Sequence, residues 1–207
     1  MMTNFRSKIF VTTGLAVLWV GALGYGMQVL FKYETTPGSS GSLASKWPSA
    51  SIVSRQPNKP MLLMVAHPRC PCTRASIAEL AQIMAHAPNG VKATVLFEKP
   101  PGADADWDDT DLRRSASAIP GVTVLTDENG IEAARFGAQT SGHTLVFDGE
   151  GALVFSGGIT ATRGHAGSNA GENAALAALQ SQTPDRGQTA VFGCSLMKRQ
   201  PDAGDKP

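Results

Sequence analysis

The stretch that decides the fold is residues 61–80, Met61-Leu62-Leu63-Met64-Val65-Ala66-His67-Pro68-Arg69-Cys70-Pro71-Cys72-Thr73-Arg74-Ala75-Ser76-Ile77-Ala78-Glu79-Leu80. Its first six residues form a continuous apolar run of strand length, which predicts a buried central strand. His67-Pro68-Arg69 breaks the run. From Pro71 the period changes: Ile77, Leu80, Ala81 and Met84 recur at helical spacing, with Arg74 and Glu79 pointing elsewhere. Pro88-Asn89-Gly90 stops that helix, and 91–97 is the next strand. Strand, helix and strand in this order imply a right-handed crossover and parallel pairing.

Working towards the C-terminus, 104–117 is acidic at its start and basic at Arg113 and Arg114, as a helix dipole prefers, and reads as a surface helix. The aspartates at its start lack the glycine and terminal glutamate of a calcium loop and read as a solvated helix start. A third strand over 122–125 is closed by the turn 127–130, and 131–136 supplies one or two helical turns. Then 144–147, the turn 148–151 and 152–155 make a hairpin, and 172–180 is a final amphipathic helix. The fold class is α/β: a central mixed sheet flanked by helices over 61–183.

Working towards the N-terminus, 35–60 is rich in Ser, Gly and Pro, lacks apolar periodicity and reads as a flexible tether. Trp47 and the Ile52-Val53 pair are its candidates for docking as an extra strand. Before it, 9–31 carries no charge and is bounded by Lys8 and Lys32. A spanning helix needs roughly 20 apolar residues, so the run suffices for a transmembrane anchor within 1–34. The alternative is a cleaved signal peptide ending near Ala22-Leu23-Gly24. Arg6 and Lys8 lean towards a cytoplasmic N-terminus. The remaining segment, 184–207, is a tail carrying Cys194.

Lys and Arg total 18 against 17 Asp and Glu, a formal net charge of +1, and no basic stripe is interleaved with aromatics. Nucleic acid is therefore not an expected partner. Three cysteines are too few for a disulfide scaffold, and two of them lie two positions apart, which fits reactive or metal-binding use. The glycine-rich stretch 157–171 lacks the Gly-Lys-Ser/Thr ending of a phosphate loop and reads as a plain loop.

The chemistry therefore rests on Cys70-Pro71-Cys72. Cys70 at the N-cap and Pro71 at the first helical position would place a sulfur at open N–H groups and the positive end of a helix dipole. Both stabilise a thiolate, the nucleophile of disulfide exchange, and Arg69 and His67 would add positive charge. Cys70, expected to be the more exposed, is the candidate attacking residue and Cys72 the resolving one, with the reverse assignment open. A disulfide across one residue closes a small, strained ring, which favours an oxidising pair. Cys194 is either an alternative disulfide partner or an uninvolved thiol. Paired thiols with redox work suit a compartment where disulfides persist, which in a bacterium is the periplasm.

The segment His67-Pro68-Arg69-Cys70-Pro71-Cys72-Thr73-Arg74-Ala75-Ser76 with Glu79-Leu80 resembles the RedB-type proteins, membrane-anchored and thioredoxin-like. Phe136-Gly137-Ala138-Gln139-Thr140-Ser141-Gly142, Leu145-Val146-Phe147-Asp148, Gly157-Gly158-Ile159-Thr160, Arg163-Gly164-His165 and Val191-Phe192-Gly193-Cys194 fit the same resemblance. More distantly the domain is similar to TlpA-like reductases and peroxiredoxins. The element order is that of the thioredoxin superfamily, whose reactive residues lie on the turn after the first core strand. The resemblance implies a thiol-disulfide oxidoreductase, without cofactor, on a bacterial inner membrane with its domain in the periplasm. A protein thiol or disulfide client and a redox donor would be its partners. It departs from the superfamily in its one-residue cysteine spacer and in having Gly142 or His143 where a cis-proline is usual. Arg163 and His165 are further supporting candidates. A second class is copper(I) delivery, similar to the Sco type, with Cys70, Cys72 and His165 (or His67, His143 or Cys194) as soft-metal ligands. A third is a binding module without turnover.

Overall fold

The computed structural model describes residues 2–196, and it divides into two compact units after Thr36. In the first, α1 (Met2–Thr35) holds a 28-residue stretch, Lys8–Thr35, that is long and apolar enough to cross a membrane. Its large side chains, Phe10, Leu18, Trp19 and Phe31 among them, are all exposed. By length and composition such a stretch near the N-terminus fits a membrane span or a signal sequence.

The second unit contains β1 (Met61–Ala66), α2 (Thr73–His86), β2 (Lys92–Lys99), α3 (Asp111–Ser117), β3 (Val122–Glu128), α4 (Ile131–Phe136), β4 (His143–Phe147), β5 (Leu153–Gly157) and α5 (Ala170–Leu179). They build a five-stranded sheet in the order β3-β2-β1-β4-β5. The central strand β1 pairs parallel with β2 and antiparallel with β4; β2 and β3 are parallel, and β4 and β5 form the hairpin. All six β1 residues are buried, because both faces of the sheet are covered. Alternation along β1 sends Leu62, Met64 and Ala66 into one core with Ile77, Leu80 and Ile83 of α2 and Ala175 and Leu179 of α5. It sends Leu63 and Val65 into a second core with Leu145, Phe147 and Phe136.

The strap preceding β1 corrects the expectation of a flexible tether. Residues 37–60 lie on the domain: Gly38 N donates to Val191 O at 2.8 Å, Trp47 N to Gly151 O at 2.8 Å, and Leu153 N to Ser45 O at 2.9 Å. Lys46 bridges to Ala152 of the hairpin. The Trp47 ring stands edge-on to Phe136 and Phe147, with centroids 5.1 and 5.0 Å away, and caps the second core. Val53 is buried there too, whereas Ile52 points to solvent. Backbone bonds and one large ring hold this segment, and neither leaves an apolar period in a sequence.

Further expectations change as well. The surface helix is shorter: Thr110 caps α3 through a hydrogen bond from Arg113 N, so 104–110 is turn rather than helix. Within that turn Asp108 is buried, not solvated, because its carboxylate takes hydrogen bonds from Arg113 and from Thr126 of β3. Glu79, expected on the outer side of α2, is also buried and accepts Gly167 N at 2.5 Å, so it ties the helix to the loop after β5. The tail is docked as well, with Ser156 bridged to Gln188 and Thr140 to Ser195; its last part, 197–207, lies outside the described residues.

Candidate redox site

β1 ends at Ala66 at the C-terminal edge of the sheet, and the chain turns at once into α2. Three short bonds make that turn: Cys70 N to His67 O at 3.1 Å, Thr73 N to Cys70 O at 3.1 Å, and Arg74 N to Pro71 O at 3.4 Å. The helix N-cap is Cys72, whose backbone is already helical (φ −67°, ψ −27°), and not Cys70. The i-to-i+3 bonds tighten the chain before the helix begins, which moves Cys70 and Pro71 outside the first turn. Pro71 still costs no hydrogen bond there.

Exposure also departs from expectation. Pro71 faces solvent, but Cys70 is only 1 % exposed and Cys72 8 %, so the candidate attacking sulfur is the more covered of the two. Cys194 provides the cover. Its Sγ lies 2.6 Å from Cys70 Sγ, and Cys72 also hydrogen-bonds Cys70, so all three sulfurs of the chain form one cluster.

The three thiols are electrostatically distinct. Burial pushes the Cys70 thiol up, but hydrogen bonds from the Cys194 thiol, the Thr73 hydroxyl and the backbone N–H groups of Cys194 and Thr73 outweigh it. The net direction is down, towards a thiolate. Cys72 is raised by burial and by the neighbouring Cys70 charge, against the pull of Arg163, which hydrogen-bonds it. Cys194 is pushed up to about 12 by burial and by its bond to Cys70, so it keeps its proton and donates it. Of the three thiols, Cys70 alone is shifted towards the anion, and its two neighbours are shifted away from it.

The supporting candidates sort clearly. Arg163 is in the site: it bonds Cys72, and its Nη1 donates to Gly193 O at 2.5 Å. Arg69 instead lies over the Trp107 ring, 3.8 Å from its centroid, and its backbone N–H donates to His67 Nδ1 at 3.1 Å. Burial and Arg69 lower the His67 pKa, so that ring does not add the positive charge expected of it. Gly142 has φ +87° and donates N–H to Val65 O at 2.7 Å; a Cβ on it would fall 2.8 Å from Ser76 Oγ of α2, so glycine is required. The His143 ring is buried in the hairpin and shares a hydrogen bond with Ser156 Oγ at 2.8 Å. His165 is exposed and bonds Thr162, so the set Cys70, Cys72 and His165 is not assembled. Among the described residues no three His, Cys, Asp or Glu side chains form a group able to hold a metal.

Sequence reading missed Thr73, Ser141 and Trp107. Ser141 Oγ accepts His67 N at 2.7 Å and pairs with Thr73 Oγ1 at 2.6 Å, and Ser141 N donates to Cys194 O at 2.8 Å. Thr73 and Ser141 stand in segments that carry the resemblance, and Thr73 is adjacent to Cys72; Trp107 had no such signal.

No family model matches this chain, and no curated protein does. Solved structures do. An uncharacterised conserved protein from Geobacillus kaustophilus is similar with a TM-score of 0.58 and 18 % identity, over 81 % of this chain and 94 % of that one. A hypothetical protein from Sinorhizobium meliloti gives 0.55 and 17 %, over 78 % and 96 %. The exposed lipoprotein thioredoxin of Streptococcus pneumoniae gives 0.39 and 20 %, over 60 % and 85 %. The strand order and the mixed five-stranded sheet flanked by helices are thioredoxin-like, and the apolar N-terminal helix is long enough to span a membrane.

Proposed function

We propose that this protein is a membrane-anchored thiol-disulfide oxidoreductase of RedB type, with Cys70 as its nucleophile and its domain in the bacterial periplasm. One observation carries the reading: the sulfurs of Cys72 and Cys194 both meet that of Cys70 at the turn between β1 and α2, and Cys70 is the thiol shifted downward. Exchange needs those parts, a thiolate to attack and a second thiol to resolve. Cys70 attacks one sulfur of a client disulfide, and Cys72 then attacks Cys70, releasing the client as a dithiol. Arg163 favours the Cys72 thiolate that this second step needs. The apolar α1 supports the anchor, and the paired thiols support an oxidising compartment.

The test uses the full chain in detergent with a disulfide-bonded model protein. Exchange should depend on Cys70, and Cys70→Ser should reduce it to the uncatalysed background. Cys72→Ser combined with Cys194→Ser, which removes both thiols next to Cys70, should instead accumulate a mixed disulfide between Cys70 and the client. Absence of exchange by the unaltered chain, or full exchange by Cys70→Ser, would sink the reading.

A further inference from the structure

Residues 193–196 lie as a short strand against residues 139–141. Cys194 O accepts Ser141 N at 2.8 Å, Leu196 N donates to Gln139 O at 2.9 Å, and Thr140 and Ser195 form an antiparallel bridge. Leu196 is buried in the second core. Gly193 passes so close to the partner backbone that a Cβ on it would fall 1.9 Å from Ser141 O. The register delivers one side chain to the catalytic turn, and it is Cys194, at 2.6 Å from Cys70. Backbone pairing for affinity with a side chain presented to a pocket is how an extended foreign segment is held on an edge.

Resting on the oxidoreductase reading, we propose that 193–196 is the protein's own bound substrate strand, occupying the groove of the client and making Cys194 the resting disulfide partner of Cys70. The client is then an extended protein segment whose cysteine follows a small residue and precedes, by two positions, an apolar one, as in Gly193-Cys194-Ser195-Leu196. A bulkier residue before the cysteine meets Ser141 O. An apolar residue two positions after it fills the place of Leu196.

The electron count closes with a donor dithiol, which reduces the resting Cys70–Cys194 bond to two thiols and itself leaves as a disulfide. With the strand lifted, the Cys70 thiolate attacks a client disulfide; the Cys70–client bond forms, the client S–S bond breaks, and its other sulfur leaves and takes a proton. Cys72 loses its proton and attacks Cys70 Sγ, forming Cys70–Cys72 and expelling the client's remaining sulfur, which is protonated in turn. Two electrons have passed from protein to client. The strand then returns, and Cys194 gives up its proton and attacks Cys70 Sγ. Cys70–Cys194 forms, and Cys72 leaves as a thiolate beside Arg163 and is protonated. This last exchange changes no oxidation state; it only moves the disulfide.

The full chain in detergent, equilibrated with a thiol–disulfide buffer and mapped by proteolysis and mass spectrometry, should carry Cys70–Cys194 as its main disulfide. Cys72→Ser should keep that bond, and Cys194→Ser should replace it with Cys70–Cys72. Gly193→Ala should shift the pairing to Cys70–Cys72. It should also raise the rate with a peptide of residues 191–196, its cysteine capped as a mixed disulfide, by about tenfold, the loss of roughly one strand hydrogen bond. Leu196→Asp lifts the same strand from its other end and should act alike. Cys70–Cys72 as the main disulfide of the unaltered chain, or strand variants with unchanged pairing and rate, would overturn this inference and leave the oxidoreductase reading standing. No exchange by any variant would overturn that reading instead.

Discussion

Arg163 Nη1 donates to the carbonyl oxygen of Gly193 at 2.5 Å, and the same guanidinium hydrogen-bonds the Cys72 sulfur. One side chain therefore holds the backbone of the tail and biases a thiol of the turn between β1 and α2. The loop that carries it is fixed in turn by Glu79 of α2, through Gly167 N. The charge that tunes this site comes from a loop after β5, about ninety residues downstream of the cysteines.

Removing that charge should act on Cys72 in a definite direction. Burial and the Cys70 charge raise Cys72, and Arg163 opposes them, so Arg163→Ala should push the thiol further up. At a fixed pH below its pKa, Cys72 alkylation should slow by about tenfold for each unit of the rise. Arg163→Lys should recover part of the rate, because it restores charge but not the planar fork that reaches Gly193 as well. Rates of alkylation at Cys72, read by mass spectrometry across pH, check this. Equal rates in all three proteins would remove Arg163 from the site.

Much of the fold was legible because it is written in periodicity. The run 61–66 and the helical spacing of Ile77, Leu80 and Met84 correspond closely to β1 and α2, since central burial leaves an unbroken apolar signature. The strap and the tail left no such mark. Trp47, Val53 and Leu196 are single apolar residues without a period, and residues 193–196 are otherwise held by backbone groups that every sequence possesses. The two cysteines in the turn were visible, but the exposure of Cys70 was not, because its cover arrives from 124 residues away. The N-cap was misplaced for a local reason: a tight turn and a helical first turn read alike until hydrogen bonds separate them.

His143 sets a pH dependence on stability. Burial lowers its pKa from 6.5 to about 4, and its Nδ1 has no hydrogen-bond partner. Between those values the unfolded chain binds a proton that the folded one refuses. Stability is therefore complete above pH 6.5 and falls as pH drops to about 4, by about 3 kcal/mol. His67, lowered by burial and Arg69, adds with the same sign. Asp127, raised by burial, works in the opposite sense near the carboxylate range, so the comparison that isolates His143 is with His143→Gln. Urea unfolding of the full chain at pH 7 and 4.5 should show the larger loss in the unaltered protein; equal losses would place the titration elsewhere.

The strap gives a prediction that a flexible tether would not. Lys46 and Arg55 offer trypsin two sites within 37–60, Lys59 being followed by Pro60, and on a free tether both would be cut at the rate of an unfolded chain. Here Lys46 bridges to Ala152, Arg55 Nη1 donates to Gly149 O at 2.5 Å, and Asn58 N donates to Gly149 O at 3.2 Å, so cleavage waits on opening. Trp47→Ala removes the ring that stands between Phe136 and Phe147 and exposes the second core beneath it. Trp47 is only half-buried, so the loss belongs at the low end for a large aromatic, about 2 kcal/mol. When opening is fast relative to cleavage, proteolysis follows the open population, and 2 kcal/mol makes that population about thirtyfold larger. Trypsin should accordingly cut the Trp47→Ala chain within the strap far faster than the unaltered one, and Trp47→Phe, which keeps an aromatic face on both neighbours, should lie between them. Cleavage of all three at one common fast rate would mean that the segment does not hold to the domain, and the second core would then need another cover.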